Sequence, residues 1–189
     1  MTRLIGLSGS LRQGSFNSAL LRAAAGLLPE DTELAIATIR GIPLYDGDVE
    51  AQGIPEPVKA LKEAIVAADG LLLATPEYNN SIPGVLKNAI DWLSRPSADI
   101  KRVFAGKPVA LMGASPGPFG TVLSQSAWLA VFRTLGVEFW SEGRLVIPRA
   151  QGEFDEDGNL SNEALREKLR GFVAGFVTFA RSSRGGARR

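Results

Sequence analysis

Short runs of uninterrupted apolar residues, each stopped by small polar ones, constrain this chain more than any other feature. Leu4-Ile5-Gly6-Leu7 ends in Ser8-Gly9-Ser10, Leu71-Leu72-Leu73-Ala74 ends in Thr75-Pro76, and residues 109–112 run into Gly113. A strand that is apolar at consecutive positions must be covered on both faces, which is the condition of a parallel sheet held between helices. The segments between the runs have helical period. Leu20, Ala24, Leu27 and Leu28 share one face of a helix over residues 17–28, and Val58, Leu61, Ile65 and Ala68 share one over 57–68. Pro83 sits early in a third, where its missing N–H costs least. A fourth spans about residues 121–135, and Ser161 is placed to cap a fifth that carries Leu165, Leu169, Phe172, Val173 and Phe176. Residues 34–38 read as a second strand, and residues 137–139 and 145–147 as pieces of a fifth with Gly143 between them. The expectation is an α/β three-layer sandwich, a five-stranded parallel sheet with helices on both faces. At 189 residues the chain suits one domain, taken as residues 1–181, with a disordered basic tail at 182–189.

The zeros in the composition exclude whole classes of chemistry. With no Cys there is no thiolate nucleophile, Cys-ligated zinc or iron–sulfur cluster, and with no His there is no imidazole base. No metal site is expected, and no side chain is assigned a catalytic role. Any reaction must use carboxylates, hydroxyls, Lys, Arg and backbone groups, or a borrowed cofactor. The net charge is only +1, and three of the Arg (Arg184, Arg188, Arg189) lie in the tail. The body therefore has no basic surplus for a nucleic acid. No apolar stretch reaches the roughly 18–20 residues that cross a bilayer, so no membrane partner and a cytoplasmic location are expected.

In a sheet of this kind ligands bind beyond the carboxyl ends of the strands, where the strand order reverses. Three loops belong there. The first, Gly9-Ser10-Leu11-Arg12-Gln13-Gly14-Ser15-Phe16-Asn17, joins a strand to a helix, so its N–H groups and the helix N-terminus favour an anion. Ser10, Ser15 and Asn17 add neutral donors and Arg12 a charge-assisted one. No Gly-Lys-Ser/Thr ending or Gly-x-Gly-x-x-Gly pattern is present, so neither a P-loop nor a dinucleotide fingerprint fits. The second loop, Thr75 to Gly84, is stiffened by Pro76 and Pro83, and its Tyr78 can lie against a flat ring. The third, Gly113 to Gly120, has no bulky side chain before Phe119 and lets a planar ligand approach the backbone. A phosphate at one end and ring contacts at the other describe a mononucleotide, and FMN fits.

The stretches from Gly9 to Asn17, Pro76-Glu77-Tyr78-Asn79 and Ser81 to Trp92 together resemble the NAD(P)H-dependent FMN reductases, above all their bacterial quinone/chromate reductase branch. That resemblance implies a flavodoxin-like fold. It also implies that Gly9, Ser10, Leu11, Arg12, Gln13, Gly14, Ser15, Phe16 and Asn17 hold the phosphate and ribityl end of FMN. Pro76, Glu77, Tyr78 and Asn79 would meet the ring edge, with Ser115 and Gly117 beside the ring. NAD(P)H would then reduce FMN, and a small-molecule acceptor (quinone, chromate, azo compound or free flavin) would reoxidise it by a ping-pong mechanism. A homodimer or homotetramer is expected, although of the branch's subunit-tying stretch after Gly120 only Gln125 is kept. Trp128, Phe132 and Trp140 are aromatics for either an interface or the core. An FMN-binding electron-transfer or sensor module without nicotinamide turnover is the rival reading.

Overall fold

The apolar runs do form strands, and the helical segments cover them. The computed structural model describes residues 1–186, with side chains to residue 183. In chain order the elements are β1 (Thr2–Ser8), α1 (Phe16–Ala25), β2 (Thr32–Ala37), α2 (Gly47–Gln52), α3 (Glu56–Ala67), β3 (Gly70–Ala74), α4 (Gly84–Leu93), α5 (Asp99–Val103), β4 (Pro108–Ala114), α6 (Val122–Leu135), β5 (Glu138–Phe139), β6 (Leu145–Ile147) and α7 (Glu163–Gly186). The strand order is β2-β1-β3-β4-β5, β6 also pairs with β4, and every pairing is parallel.

Alternation along the strands divides the core in two. Leu4, Leu72, Ala110 and Met112 face the layer of α1 and α7, whereas Ile5, Leu7, Leu71, Leu73, Val109 and Leu111 face α3, α4 and α6. The α1/α7 face is lined with small residues, which lets those helices sit close to the sheet. A Cβ on Gly70 would stand 3.0 Å from the Phe176 ring, and one on Gly6 would stand 2.8 Å from Leu21.

The fifth strand is one line of pairing broken in the middle. β5 pairs with Pro108 and Val109, and β6 pairs with residues 112–114. Trp140, whose N–H still donates to the Val109 carbonyl at 2.9 Å, points its indole into the core, 5.2 Å from Phe172 and 5.9 Å from Phe176, and the chain leaves the sheet after it. Gly143 is required there because a Cβ would collide with the indole.

Several expectations need correction. Helices α2 and α5 were hidden, one in a loop dense in Gly and Pro and the other too short for a periodic signal. Asp46 starts α2 by accepting from the Asp48 N–H at 2.8 Å. Asn162, and not Ser161, caps α7 through the Leu165 N–H at 3.1 Å; the Ser161 hydroxyl instead donates to the Glu153 carbonyl. The tail expected from residue 182 is helical at its start, since α7 continues to Gly186 with Ser182 and Ser183 bonded back to the Phe179 carbonyl. The rest of that tail, residues 187–189, lies outside the described residues. Trp128, Phe132 and Trp140 are 0%, 4% and 6% exposed. They belong to the core and are not available to an interface.

Candidate functional site

The strand order reverses between β1 and β3, because the chain leaves β1 toward β2 on one side and later crosses back to β3 on the other. The three loops identified in the sequence follow β1, β3 and β4, which are adjacent in the sheet, and so converge on one open crevice. Close backbone approach holds them together. The Gly9 N–H donates to the Ala74 carbonyl at 2.8 Å, and a Cβ on Gly9 would meet Pro76 and Leu86, each at 2.8 Å. Gly113 passes so near Thr75 and Thr121 that no Cβ fits there. The Thr75 hydroxyl, fully buried, contacts the Ser124 hydroxyl at 2.9 Å and accepts from the Trp128 indole at 3.1 Å.

The first loop is built to offer donors. Ser15 caps α1, its hydroxyl accepting from the Ser18 N–H at 3.3 Å. Among the described residues the N–H groups of Gln13, Gly14, Ser15, Phe16 and Asn17 make no hydrogen bond. A row of unpaired N–H groups at a helix N-terminus is the arrangement that receives an anion. Arg12 is exposed, has no ion-pair partner among the described residues, and lies over the Phe16 ring at 5.4 Å from its centroid. Arg40 holds the loop from outside by donating to the Leu11 carbonyl.

The side chains of three expected site residues have other work. Asn17 is buried and both ends of its amide are engaged by Ala114: Nδ2 donates to the carbonyl at 2.9 Å and Oδ1 accepts from the N–H at 3.0 Å. It ties α1 to the end of β4 and leaves only its backbone N–H facing the crevice. Glu77 Oε2 accepts from the N–H groups of Leu123 and Ser124 at 2.8 and 3.0 Å, so it caps α6 from outside and fastens the second loop to it. Ser115 Oγ accepts from the Gly117 N–H at 3.1 Å, folding the third loop on itself. Arg149 and Ala150, which the sequence reading missed, complete that fold by donating their N–H groups to the carbonyls of Gly117 and Ser115.

Tyr78 is different. It pairs with Ser81 across a two-residue turn whose central residues, Asn79 and Asn80, have φ of 50° and 60°. Positive φ at both positions is the mirror-image turn of tight hairpins, and Asn tolerates it better than other residues with a Cβ. The turn leaves Tyr78 46% exposed on the rim, with Phe119 of the third loop 75% exposed. Pro76 continues directly from buried Thr75 and stands against Gly9. The crevice thus has donors at one end, a glycine- and proline-lined floor, and an aromatic rim at the other. Its shape and chemistry match an anionic group joined to a flat ring. Among the described residues no cluster of acidic side chains could hold a metal ion.

The chain as a whole is similar to known proteins. Residues 2–152 match the family described as NADPH-dependent FMN reductase. An NAD(P)H-dependent FMN reductase of Pseudomonas aeruginosa is 45% identical over 183 residues, covering 97% of each chain. A 2-hydroxy-1,4-benzoquinone reductase of a Burkholderia species is 40% identical over 176 residues, covering 93% of this chain and 94% of its own. Among solved structures, the flavoenzyme NAD(P)H:(acceptor) oxidoreductase FerB of Paracoccus denitrificans superposes with a TM-score of 0.86 at 33% identity, over 97% of this chain and 99% of that one.

Proposed function

The chain belongs to the NADPH-dependent FMN reductase family, and from that footing we propose how its crevice is used. It is a flavodoxin-like, FMN-dependent NAD(P)H oxidoreductase. The residues present fit the cofactor: the unpaired N–H groups of Gln13 to Asn17 suit a phosphate, and the Gly9–Pro76 contact leaves a flat approach for a ring. In this reading Gly9 to Asn17 hold the phosphate and ribityl chain, with Arg12 closing over the phosphate from its place above Phe16. Pro76 to Asn79 meet the ring edge mainly through backbone groups, and Ser115 and Gly117 flank the ring. FMN, when bound, supplies the hydride-accepting and electron-passing chemistry. The chain positions the reactants and surrounds them with fixed dipoles.

NAD(P)H and the acceptor are inferred to use the same crevice in turn, a ping-pong order, because the three loops enclose one opening. The acceptor is inferred to be a small flat molecule of the quinone class, with chromate, azo compounds and free flavin as further candidates. The Burkholderia relative supports the quinone class, and the exposed Tyr78 and Phe119 suit a planar apolar molecule. We further infer one domain and a homodimer or homotetramer, for which Leu123 and Leu129, exposed on the outer face of α6, supply apolar surface. No helix among the described residues is long and apolar enough to cross a membrane, and dependence on NAD(P)H fits a cytoplasmic place.

The observation that carries this reading is the row of unpaired N–H groups facing a glycine-lined crevice at the switch point. Its test is to load the chain with FMN, mix it with NADPH without oxygen, and then add a quinone, chromate or free flavin. Bleaching of the flavin followed by recovery with a quinone supports the reading. Bleaching slower than turnover requires would favour an electron carrier and refute it.

A further inference from the structure

The hydrogen bonds around Thr75 can be assigned atom by atom. Thr75, Ser124 and Trp128 are all fully buried. The Thr75 hydroxyl lies 3.0 Å from the Pro76 carbonyl, 2.9 Å from the Ser124 hydroxyl and 3.1 Å from the Trp128 indole nitrogen. A hydroxyl has one hydrogen and two acceptor sites, a carbonyl can only accept, and an indole N–H can only donate. The single hydrogen of Thr75 therefore goes to Pro76, and its two acceptor sites receive the Trp128 N–H and the Ser124 O–H. With both partners on α6 in place, the orientation of this hydroxyl is fixed.

The carbonyl it holds belongs to the peptide joining Pro76 to Glu77, which is trans. In a planar trans peptide the N–H points opposite to the C=O. The Pro76 carbonyl is turned to the buried hydroxyl, so the Glu77 N–H is turned away from it, to the side on which the second loop borders the crevice. There it makes no hydrogen bond among the described residues. The Glu77 carboxylate adds a second tie, because it receives the N–H groups of Leu123 and Ser124. The peptide is thus held on both sides, and its free donor has one direction. A carbonyl that accepts a hydrogen bond also polarises its peptide and strengthens the donor at the other end.

We propose that Thr75 is a positioning residue for flavin reduction: through the Pro76 carbonyl it aims the Glu77 N–H at the flavin ring. This rests on the reading that Pro76 to Asn79 meet the ring edge. A hydride carries two electrons and one proton, so the nicotinamide leaves oxidised and the neutral ring gains a negative charge. An N–H fixed in advance stabilises that charge without reorganising. The Thr75 hydroxyl itself neither touches the ring nor gives up its proton.

The test has two readings. In the wild type, hydrogen exchange of the backbone amides is followed by nuclear magnetic resonance with and without FMN, and protection of the Glu77 amide on loading is expected. The reduction potential of bound FMN is then measured for Thr75→Val, Thr75→Ser and Ser124→Ala, with melting temperatures alongside. Thr75→Val should make the potential more negative by about 30 mV, the two-electron equivalent of a tenfold weaker preference for the reduced ring. Thr75→Ser keeps the hydroxyl and should restore the potential. Ser124→Ala removes a donor to Thr75 but not the bond to Pro76, so it should lower the melting temperature and leave the potential unchanged. The proposal is overturned if Thr75→Val keeps the wild-type potential, or if the potential simply follows the melting temperature across the set. Thr75→Val also leaves Trp128 and Ser124 without an acceptor; if it fails to fold, the Glu77 amide decides alone. A Glu77 amide left unprotected while those of residues 13–17 become protected overturns the proposal and leaves the reading of the crevice standing. Protection of neither loop would refute both.

Discussion

Arg12 and Glu77 show how differently two charged residues of neighbouring loops are used. Arg12 has no carboxylate to hold it and rests on the face of Phe16, a contact worth roughly 0.5–1 kcal/mol at an exposed site. An anion in the first loop is therefore its natural partner. Arg12→Ala should lower FMN affinity by roughly 10- to 100-fold, the equivalent of a charge-assisted bond of about 1.5–3 kcal/mol. Riboflavin, which lacks the phosphate, should bind both forms alike in a fluorescence titration; equal losses for the two flavins would assign Arg12 to the fold. Glu77 is committed elsewhere, since one of its oxygens receives two N–H groups at the start of α6. Glu77→Gln keeps an acceptor but loses the charge, so it should cost about 1 kcal/mol and lower the melting temperature by about 2–4 °C. A scanning calorimeter reads this directly, and an unchanged melting temperature would mean that the cap contributes nothing.

Among the elements, the short helix α5 is fixed by a single buried cation. Lys62 of α3, its side chain 3% exposed, donates to the Arg95 carbonyl and to Asp99 Oδ2, the latter at 2.8 Å. The hydrogen bond from Lys62 is the main cause that holds the Asp99 carboxyl below its ordinary value, with Arg102 adding to the effect. A carboxyl depressed in the folded state stabilises above its unfolded pKa and loses that contribution as pH falls through the folded one. Asp99→Asn leaves Lys62 buried without its counterion, and should cost about 3 kcal/mol near neutral pH. The deficit should shrink below about pH 4, where the unfolded carboxylate takes up its proton. Urea melts of both proteins across that range check the sign; a deficit that grows in acid would contradict it. The second loop is another such element: the Tyr78–Ser81 pair and its positive-φ asparagines hold Tyr78 on the rim without help from the core.

For the whole molecule, the sequence carried the sandwich because β1, β3 and β4 are apolar on both faces and end at Ser8, Ala74 and Ala114, next to the three loops. Loop positions were legible for the same reason. Side-chain duties within them were not, because they depend on partners far along the chain: Asn17 on Ala114 and Glu77 on Leu123 and Ser124. The two pieces of the fifth strand could be read, but not where the Trp140 indole between them goes, since its partners Phe172 and Phe176 lie on the last helix. What results is a crevice in which the carboxylate of the second loop, Glu77, is occupied as a helix cap, in a chain with no His or Cys. The central claim is that the side chains around the flavin shape the pocket and do not move protons in the reductive step. Tyr78, whose hydroxyl has no hydrogen-bond partner among the described residues, is the group best placed to contradict it. The most direct measurement is stopped-flow reduction by NADPH of wild type and Tyr78→Phe at equal FMN occupancy. The account predicts rate constants within about tenfold of each other, whereas a loss toward about a thousandfold, within the range for removing a general acid or base, would contradict it.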